Sequence, residues 1–324
     1  MRPVQQPKRV AFATAVIAGL LGVGMVGVSP TAAAAFCAIP TPIFVNSGSG
    51  ISPPVLRSYS VSVPSGALSL ASEVPLIANY GDIALTEGGV LYAATFSGSG
   101  TSLVTLSTAT GLPLTSVPIV FSVGGAPLNS VNALSAARDG SLYVGTTTSN
   151  QLFRMTPAGV VDIIPVTLFP TLSTSAMLTN AGDALTLPDG DLLVLASGDG
   201  SGWALRVNVG TGVSTIVGSI PPSFGAALSG ELIYLAGADG IIRSLASIPT
   251  AASESPLTLV DQANTGLSLF GASSLQDSGG PCPTAPTLAE TGTFLEGPVL
   301  VSILLLLAGA SILFLRRARR AGSL

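Results

Sequence analysis

The chain has 324 residues, of which 48% are hydrophobic and only 9% charged, with a formal net charge of −4; ordinary soluble domains carry about 25% charged residues. There is no histidine, which removes the commonest general base, the serine triads built on it and every His-ligated metal site. The only lysine is Lys8, so Schiff-base chemistry, phosphate-cradling P-loops and lysine-linked isopeptide bonds are excluded from everything that follows the N-terminal segment.

Residues 1–35 read as an export signal. Arg2, Lys8 and Arg9 give a positive start, residues 10–28 form an apolar run, and Ser29-Pro30 breaks it before the small residues Thr31 to Ala35. Cleavage is expected after Ala35. Phe36, directly before Cys37, is too large for a lipoprotein signal, so Cys37 is read as an ordinary exported cysteine. The competing reading of this segment is an uncleaved membrane anchor.

Between the export signal and Thr291 lies a body that carries five arginines against fifteen acids, a net −10 for residues 36–291. A surface of that sign repels phosphate backbones, so nucleic acid is excluded as a partner; the charge is otherwise what solubility requires.

Residues 36–277 are expected to be all-β. Short runs of Val, Leu, Ile, Thr and Tyr alternate with Gly, Ser, Pro and Asp turns, and no long segment has a period of 3.6. The runs repeat. Asp82-Ile-Ala-Leu leads through Glu87-Gly-Gly to Leu91-Tyr92, and Asn132-Ala-Leu through Arg138-Asp-Gly to Leu142-Tyr143. Asp183-Ala-Leu leads through Pro188-Asp-Gly to Leu192-Leu193, and Gly225-Ala-Ala-Leu through Ser229-Gly to Leu232-Ile233. The second-strand leucines 91, 142, 192 and 232 are 51, 50 and 40 residues apart, and each copy continues into a third and fourth strand. That is the size of one β-propeller blade. A β-sandwich of similar length is the alternative, but it needs no such period.

Four copies leave incomplete ends. Residues 42–73 look like the later strands of a blade, and residues 266–276 like a first strand with a possible second. Joined, they predict a propeller of about five four-stranded blades, with a range of five to six, closed by strands from both ends of the body. Cys37 and Cys282 flank that composite blade and are expected to form a disulfide. Such a bridge contributes about 4–5 kcal/mol in the chain-entropy model, less any strain. The Asn132-Ala-Leu to Gly159 pattern and the early Cys37 resemble an uncharacterised propeller-like repeat family of bacterial secreted and surface proteins. That resemblance covers roughly residues 37–277 and implies the fold without an activity.

Asp82, Asn132 and Asp183 fall at equivalent first-strand starts, near one mouth of the expected channel. They are candidates to converge on a cation or a sugar hydroxyl, although strand-end capping accounts for the same residues. Asp189-Gly-Asp191 and Asp199-Gly200 resemble fragments of calcium loops, but hairpin turns explain them better. Trp203 is read as packing. No cofactor or metal is expected.

Residues 278–287 form a Pro/Ser/Thr/Gly linker. Leu288-Ala289-Glu290-Thr291-Gly292 follows, then a hydrophobic membrane segment at 293–315. Its uninterrupted part, 298–315, spans about 27 Å as a helix. Arg316, Arg317, Arg319 and Arg320 begin a cytoplasmic tail, residues 316–324, and act as the stop-transfer charge. Motif, membrane segment and arginine tail together resemble the LPxTG-type sorting signal of Gram-positive wall proteins. Ala289 in place of proline matches the LAxTG variant of high-GC Gram-positive bacteria. The resemblance implies that a sortase cleaves between Thr291 and Gly292 and joins Thr291 to peptidoglycan, with the membrane holding the chain beforehand. The sequence thus describes a non-catalytic surface protein for recognition, adhesion or surface architecture toward an unidentified extracellular ligand. The alternatives are an extracellular propeller enzyme acting on glycans and a single-span membrane protein that sortase does not process.

Overall fold

Aliphatic and β-branched runs fill a pleated, half-buried surface, and glycine supplies the positive φ that the tight turns between them need. Gly140 and Gly190, in the two Asp-Gly turns, have φ of 81° and 91°. The computed structural model describes residues 39–48, 53–95 and 100–279, and every regular element among them is a strand.

In chain order, β1 (Ile43–Ser47), β2 (Val55–Val61) and β3 (Leu68–Pro75) are followed by β4 (Tyr80–Leu85), β5 (Leu91–Thr95), β6 (Ser102–Leu106) and β7 (Pro113–Pro118). The next group is β8 (Val120–Phe121), β9 (Val131–Ala136), β10 (Leu142–Thr146), β11 (Gln151–Met155), β12 (Val160–Val161) and β13 (Thr167–Leu168). Then come β14 (Thr179–Thr186), β15 (Leu192–Gly198), β16 (Ser201–Asn208) and β17 (Val213–Ile220). The last are β18 (Ser223–Ser229), β19 (Leu232–Gly237), β20 (Ile241–Leu245), β21 (Val260–Asn264) and β22 (Leu269–Ser274).

These strands make five blades, antiparallel apart from the short β8–β12 pair, and the described residues form an all-β, five-bladed propeller. The inner strands β22, β4, β9, β14 and β18 stand next to one another in that order around the axis. The blades are β4–β7, β8–β13, β14–β17, β18–β21 and the composite β22-β1-β2-β3. In the composite blade, β22 from the end of the body pairs with β1 from its start, Ile43 opposite Ser274 and Val45 opposite Ala272. Residues 266–276 thus supply one strand of this blade and not two.

Five apolar clusters hold the ring, one in each seam between neighbouring blades. Leu103 of one blade meets Leu134 and Leu142 of the next, and Tyr59 of the composite blade meets Tyr234. Fully burying one such side chain contributes about 1.5–3 kcal/mol. Because each blade is covered on both faces, its second strand is apolar at nearly every position.

Two details depart from the repeat expected above. The buried equivalent of Leu91, Leu142 and Leu192 in the fourth copy is Ile233, fully buried and paired with Leu228, not Leu232. The turn Gly230-Glu231 there is only two residues long, which adds the pair Ser229–Leu232 to the hairpin and moves the pattern by one. The fourth strand of the β9 blade is also broken. Val161 pairs with Met155, Thr167 and Leu168 pair with β11 further on, and β8, formed on the way from β7 to β9, joins this same sheet parallel to β12. No helix of the described residues is long and apolar enough to cross a membrane. The export signal, both cysteines, the sorting motif, the membrane segment and the arginine tail lie outside the described residues.

Candidate functional site

Five inner strands converge so closely that what they put on the axis is decided by a few residues. Each carries a bulge near its start, where the inner strand has one extra residue against its partner, or two in β14. A bulge re-aims the side chains beside it. Past the bulge, Asp82 pairs with Ala94, Ala133 with Gly145, Gly225 with Ala236 and Gly271 with Asn46, while Asp183 directly precedes the pair Ala184–Val194. One layer of the axis is therefore Asp82, Ala133, Asp183, Gly225 and Gly271. Asn132 is not in it: it stands one residue earlier, in the layer of Gly81, Gly182, Phe224 and Phe270. The correction to the sequence alignment comes from the bulge, which no alternation pattern reveals.

The two aspartates bind neighbouring blades together. Asp82 Oδ1 accepts from its own following N–H, Ile83, at 2.8 Å, and Oδ2 accepts from the Leu134 N–H of the next inner strand at 2.7 Å. Asp183 repeats this with Ala184 at 2.7 Å and Ala226 of the next strand at 3.0 Å. Where the layer has no carboxylate, other groups span the seam. Asn132 Nδ2 donates to the Asn180 carbonyl at 3.0 Å, and the Leu85 N–H donates to Ser273 Oγ at 2.8 Å.

The last seam, between β18 and β22, is closed by Asp277 in the turn after β22. Its carboxylate accepts the N–H groups of Leu228 and Ser274, both at 2.6 Å, and the hydroxyls of Ser273 at 2.8 Å and Ser274 at 3.0 Å. Its carbonyl accepts the Thr186 N–H at 2.8 Å. The turn at residues 275–278 therefore touches three inner strands and caps the axis at the end where those strands finish.

All three carboxyls are buried, at 0%, 2% and 1% exposure for Asp82, Asp183 and Asp277. Desolvation is the largest influence on each and pushes Asp277 up to about 7 against the pull of its donors. Asp82 and Asp183 are raised well above the ordinary carboxylate range, first by burial; the charge of Asp277 adds to both, and that of Asp82 to Asp183. Their main-chain donors oppose the rise. Glycine makes the cage possible: a Cβ on Gly271 would collide with Asp82 Oδ1 and come within 2.7 Å of Asn46 Oδ1. Asn46 Oδ1 and Asn132 Oδ1 are buried without a partner among the described residues.

At the opposite end, where the inner strands begin, Phe224 and Phe270 are half-buried and stacked, with ring centroids 5.9 Å apart and planes at 24°. Neither they nor Asp277 was singled out from the sequence. The signal was present as Phe224-Gly-Ala and Phe270-Gly-Ala, which occupy the places of Gly81-Asp-Ile and Gly182-Asp-Ala. Asp139, Asp189, Asp191 and Asp239, in hairpin turns, are ion-paired with arginines. Arg206 is held by Asp189 and, at 2.7 Å, by Asp191, and Arg154 by Asp139 at 2.6 Å while lying 5.5 Å over the Tyr143 ring. Asp199 has a φ of 54° in the two-residue turn before Ser201. Trp203 is packed in a seam with its Nε1 donating to the Gly198 carbonyl at 3.0 Å. Among the described residues, no three His, Cys, Asp or Glu side chains are grouped to hold a metal ion.

No protein-family model matches the chain, and no curated protein matches it. Solved structures are similar to it at low identity. A chain of a nidogen/laminin complex is 11% identical with a TM-score of 0.43, over 72% of this chain and 84% of that one. A putative gluconolactonase is 18% identical with a TM-score of 0.40, over 75% and 90%. Virginiamycin B lyase from Staphylococcus aureus is 10% identical with a TM-score of 0.36, over 69% of each chain.

Proposed function

We propose that this chain is an exported surface protein, joined to peptidoglycan through Thr291 by a sortase, whose propeller is a non-catalytic surface for recognition or adhesion. The observation that carries the reading is where the described body begins and ends. Gln276 Nε2 donates to the Ile39 carbonyl at 2.8 Å, and Thr41 exchanges hydrogen bonds with Ser229 at 3.0 and 2.6 Å. Both ends of the body thus leave from the side where the inner strands finish. A tether there points the other side, with Phe224 and Phe270 at its centre, away from the attachment. The axial acids support the non-catalytic part, because each carboxylate oxygen is already engaged by a donor of the fold.

The test is mass spectrometry of protein released from purified walls by muralytic digestion. The expected C-terminal peptide ends at Thr291 and carries peptidoglycan fragments. Peptides running through Leu315, recovered only from membranes, would sink the anchoring.

A further inference from the structure

The long connection between β20 and β21, residues 246–259, crosses to the neighbouring blade and lies along the outer strand β17. Ser253 N–H donates to the Ile216 carbonyl at 2.9 Å, Ser219 N–H to Ser255 at 3.1 Å and Leu257 N–H to Ser219 at 3.0 Å. Between this strap, the blade it leaves and the β2–β3 hairpin is a cavity of about 760 Å³. That is within the size range of ligand sites, about 300–1,000 Å³. Its lining has no charged side chain and combines serine and threonine hydroxyls and Gln262 with Pro64, Pro249, Leu245 and Leu257. It adjoins a second cavity of about 330 Å³ through Pro64 and Leu232, and that one reaches Pro40 at the start of the body. The charges nearby belong to the flanks: Glu231 in the second cavity, and the Arg243–Asp261 pair in a third on the far side of Pro256.

We propose that this groove binds a neutral glycan chain of the wall to which the protein is attached; the source of the glycan, though not its chemistry, rests on the anchoring reading. Rotatable hydroxyls both donate and accept, so a row of them matches sugar hydroxyls, while the prolines and leucines suit the C–H faces of the rings. An uncharged lining in a body of strong negative charge favours a neutral polymer over an anionic one. A peptide adding as a strand is disfavoured, because the edge of β17 is already occupied by the strap, and proline-rich peptides dock in aromatic-lined grooves, which this is not. The groove also lies on the side from which the body is tethered, where wall polymer is nearest.

The full-length protein in detergent is titrated with a neutral N-acetylglucosamine oligomer, a neutral galactan, a proline-rich peptide and polyphosphate. The expected result is binding of a neutral glycan, weakened about tenfold or more by Ala251→Trp, which fills the groove from an exposed position, and unchanged by Val123→Arg outside it. Should Ala251→Trp lower the melting temperature, Ser247→Trp replaces it. No neutral-glycan binding at millimolar concentration, preferential binding of the peptide or polyphosphate, or an affinity unchanged by the groove substitution overturns the proposal. Wall linkage of the same variants is measured in parallel. Linkage retained with glycan binding lost supports a groove separate from sorting; glycan binding without any wall linkage in the unaltered protein supports the groove and removes only the anchoring.

Discussion

Asp82 and Leu134 are 52 positions apart, yet the carboxylate of one takes the main-chain N–H of the other at 2.7 Å across the seam between two blades. Asp183 and Ala226 repeat the contact two blades further round the ring. The acids at the centre therefore fasten blade to blade, and removing one strands a buried donor. Asp82→Ala is expected to destabilise the fold by about 1–3 kcal/mol, the cost of leaving such a group unpaired. Urea unfolding measures it; a loss below a few tenths of a kcal/mol would show that Leu134 is satisfied in another way.

The pH dependence follows from three acids whose folded pKa values lie above the unfolded one of about 3.9. The folded state binds more protons, so the stability they contribute is fully present below about pH 4 and is lost as pH rises through their folded values. For Asp277 that loss runs from about pH 4 and is nearly complete at its folded value of about 7. At about 1.4 kcal/mol per pKa unit, Asp277 alone accounts for up to roughly 4 kcal/mol. Asp139, held down to about 2 by Arg154 and Ser141, acts in the opposite sense and only below pH 4. Unfolding midpoints are expected to fall from pH 5 to pH 8, with a shallower slope in Asp277→Asn. Midpoints that climb over that range would contradict the protonated cage.

Gly271→Ala puts a methyl group against the Asp82 carboxylate and within 2.9 Å of the Ile83 nitrogen. Overpacking of this kind costs about 1–3 kcal/mol. Combined with Asp82→Ala, the two losses are expected to be less than additive, since the second change removes the atom the first one strikes. A double-mutant cycle measures the coupling. Strict additivity would mean that the backbone of β22 simply shifts away.

Leu142, fully buried between two blades, is expected to cost about 2–5 kcal/mol on substitution by alanine. Leu114, on an outer strand and 68% exposed, is the comparison, with an effect within about 0.5 kcal/mol. Thermal unfolding of the two variants side by side tests whether the seams carry the stability.

The cysteines outside the described residues have neighbours that bear on their pairing. Gln276, six residues before Cys282, reaches Ile39, two residues after Cys37. Peptide mapping without reductant is expected to yield a Cys37–Cys282 linked pair, and reduction to lower stability by about 2–5 kcal/mol. Free thiols at both positions would refute the bridge.

The blades were legible because their hairpins carry strong local signals: Asp-Gly turns before Leu142 and Leu192, and apolar second strands between covered faces. The closing of the ring was legible from what the four copies left over at each end. The axis was not. Asp82 and Asn132 look interchangeable in an alignment of short motifs, yet Asn132 is the extra residue of its bulge, the place Gly81 takes in β4, and falls one layer away. Phe224 and Phe270 were passed over because an aromatic residue at a strand start reads as packing until its exposure is seen. The broken fourth strand at residues 160–168 had no repeat to betray it, since its irregularity is compensated by β8, which adds to the same sheet from earlier in the chain.

The pairing of β22 with β1 also sets a timetable for folding. Until Leu269–Ser274 has been made, β1 to β3 form an open sheet whose unpaired edge at Ile43–Ser47 faces solvent. Contacts this distant in sequence form slowly, because chain entropy must be lost before they reward it. Proteolysis of nascent chains is therefore expected to stay high until the final strand arrives and then drop in one step. In the finished ring β1 lies inside its sheet, between β22 and β2.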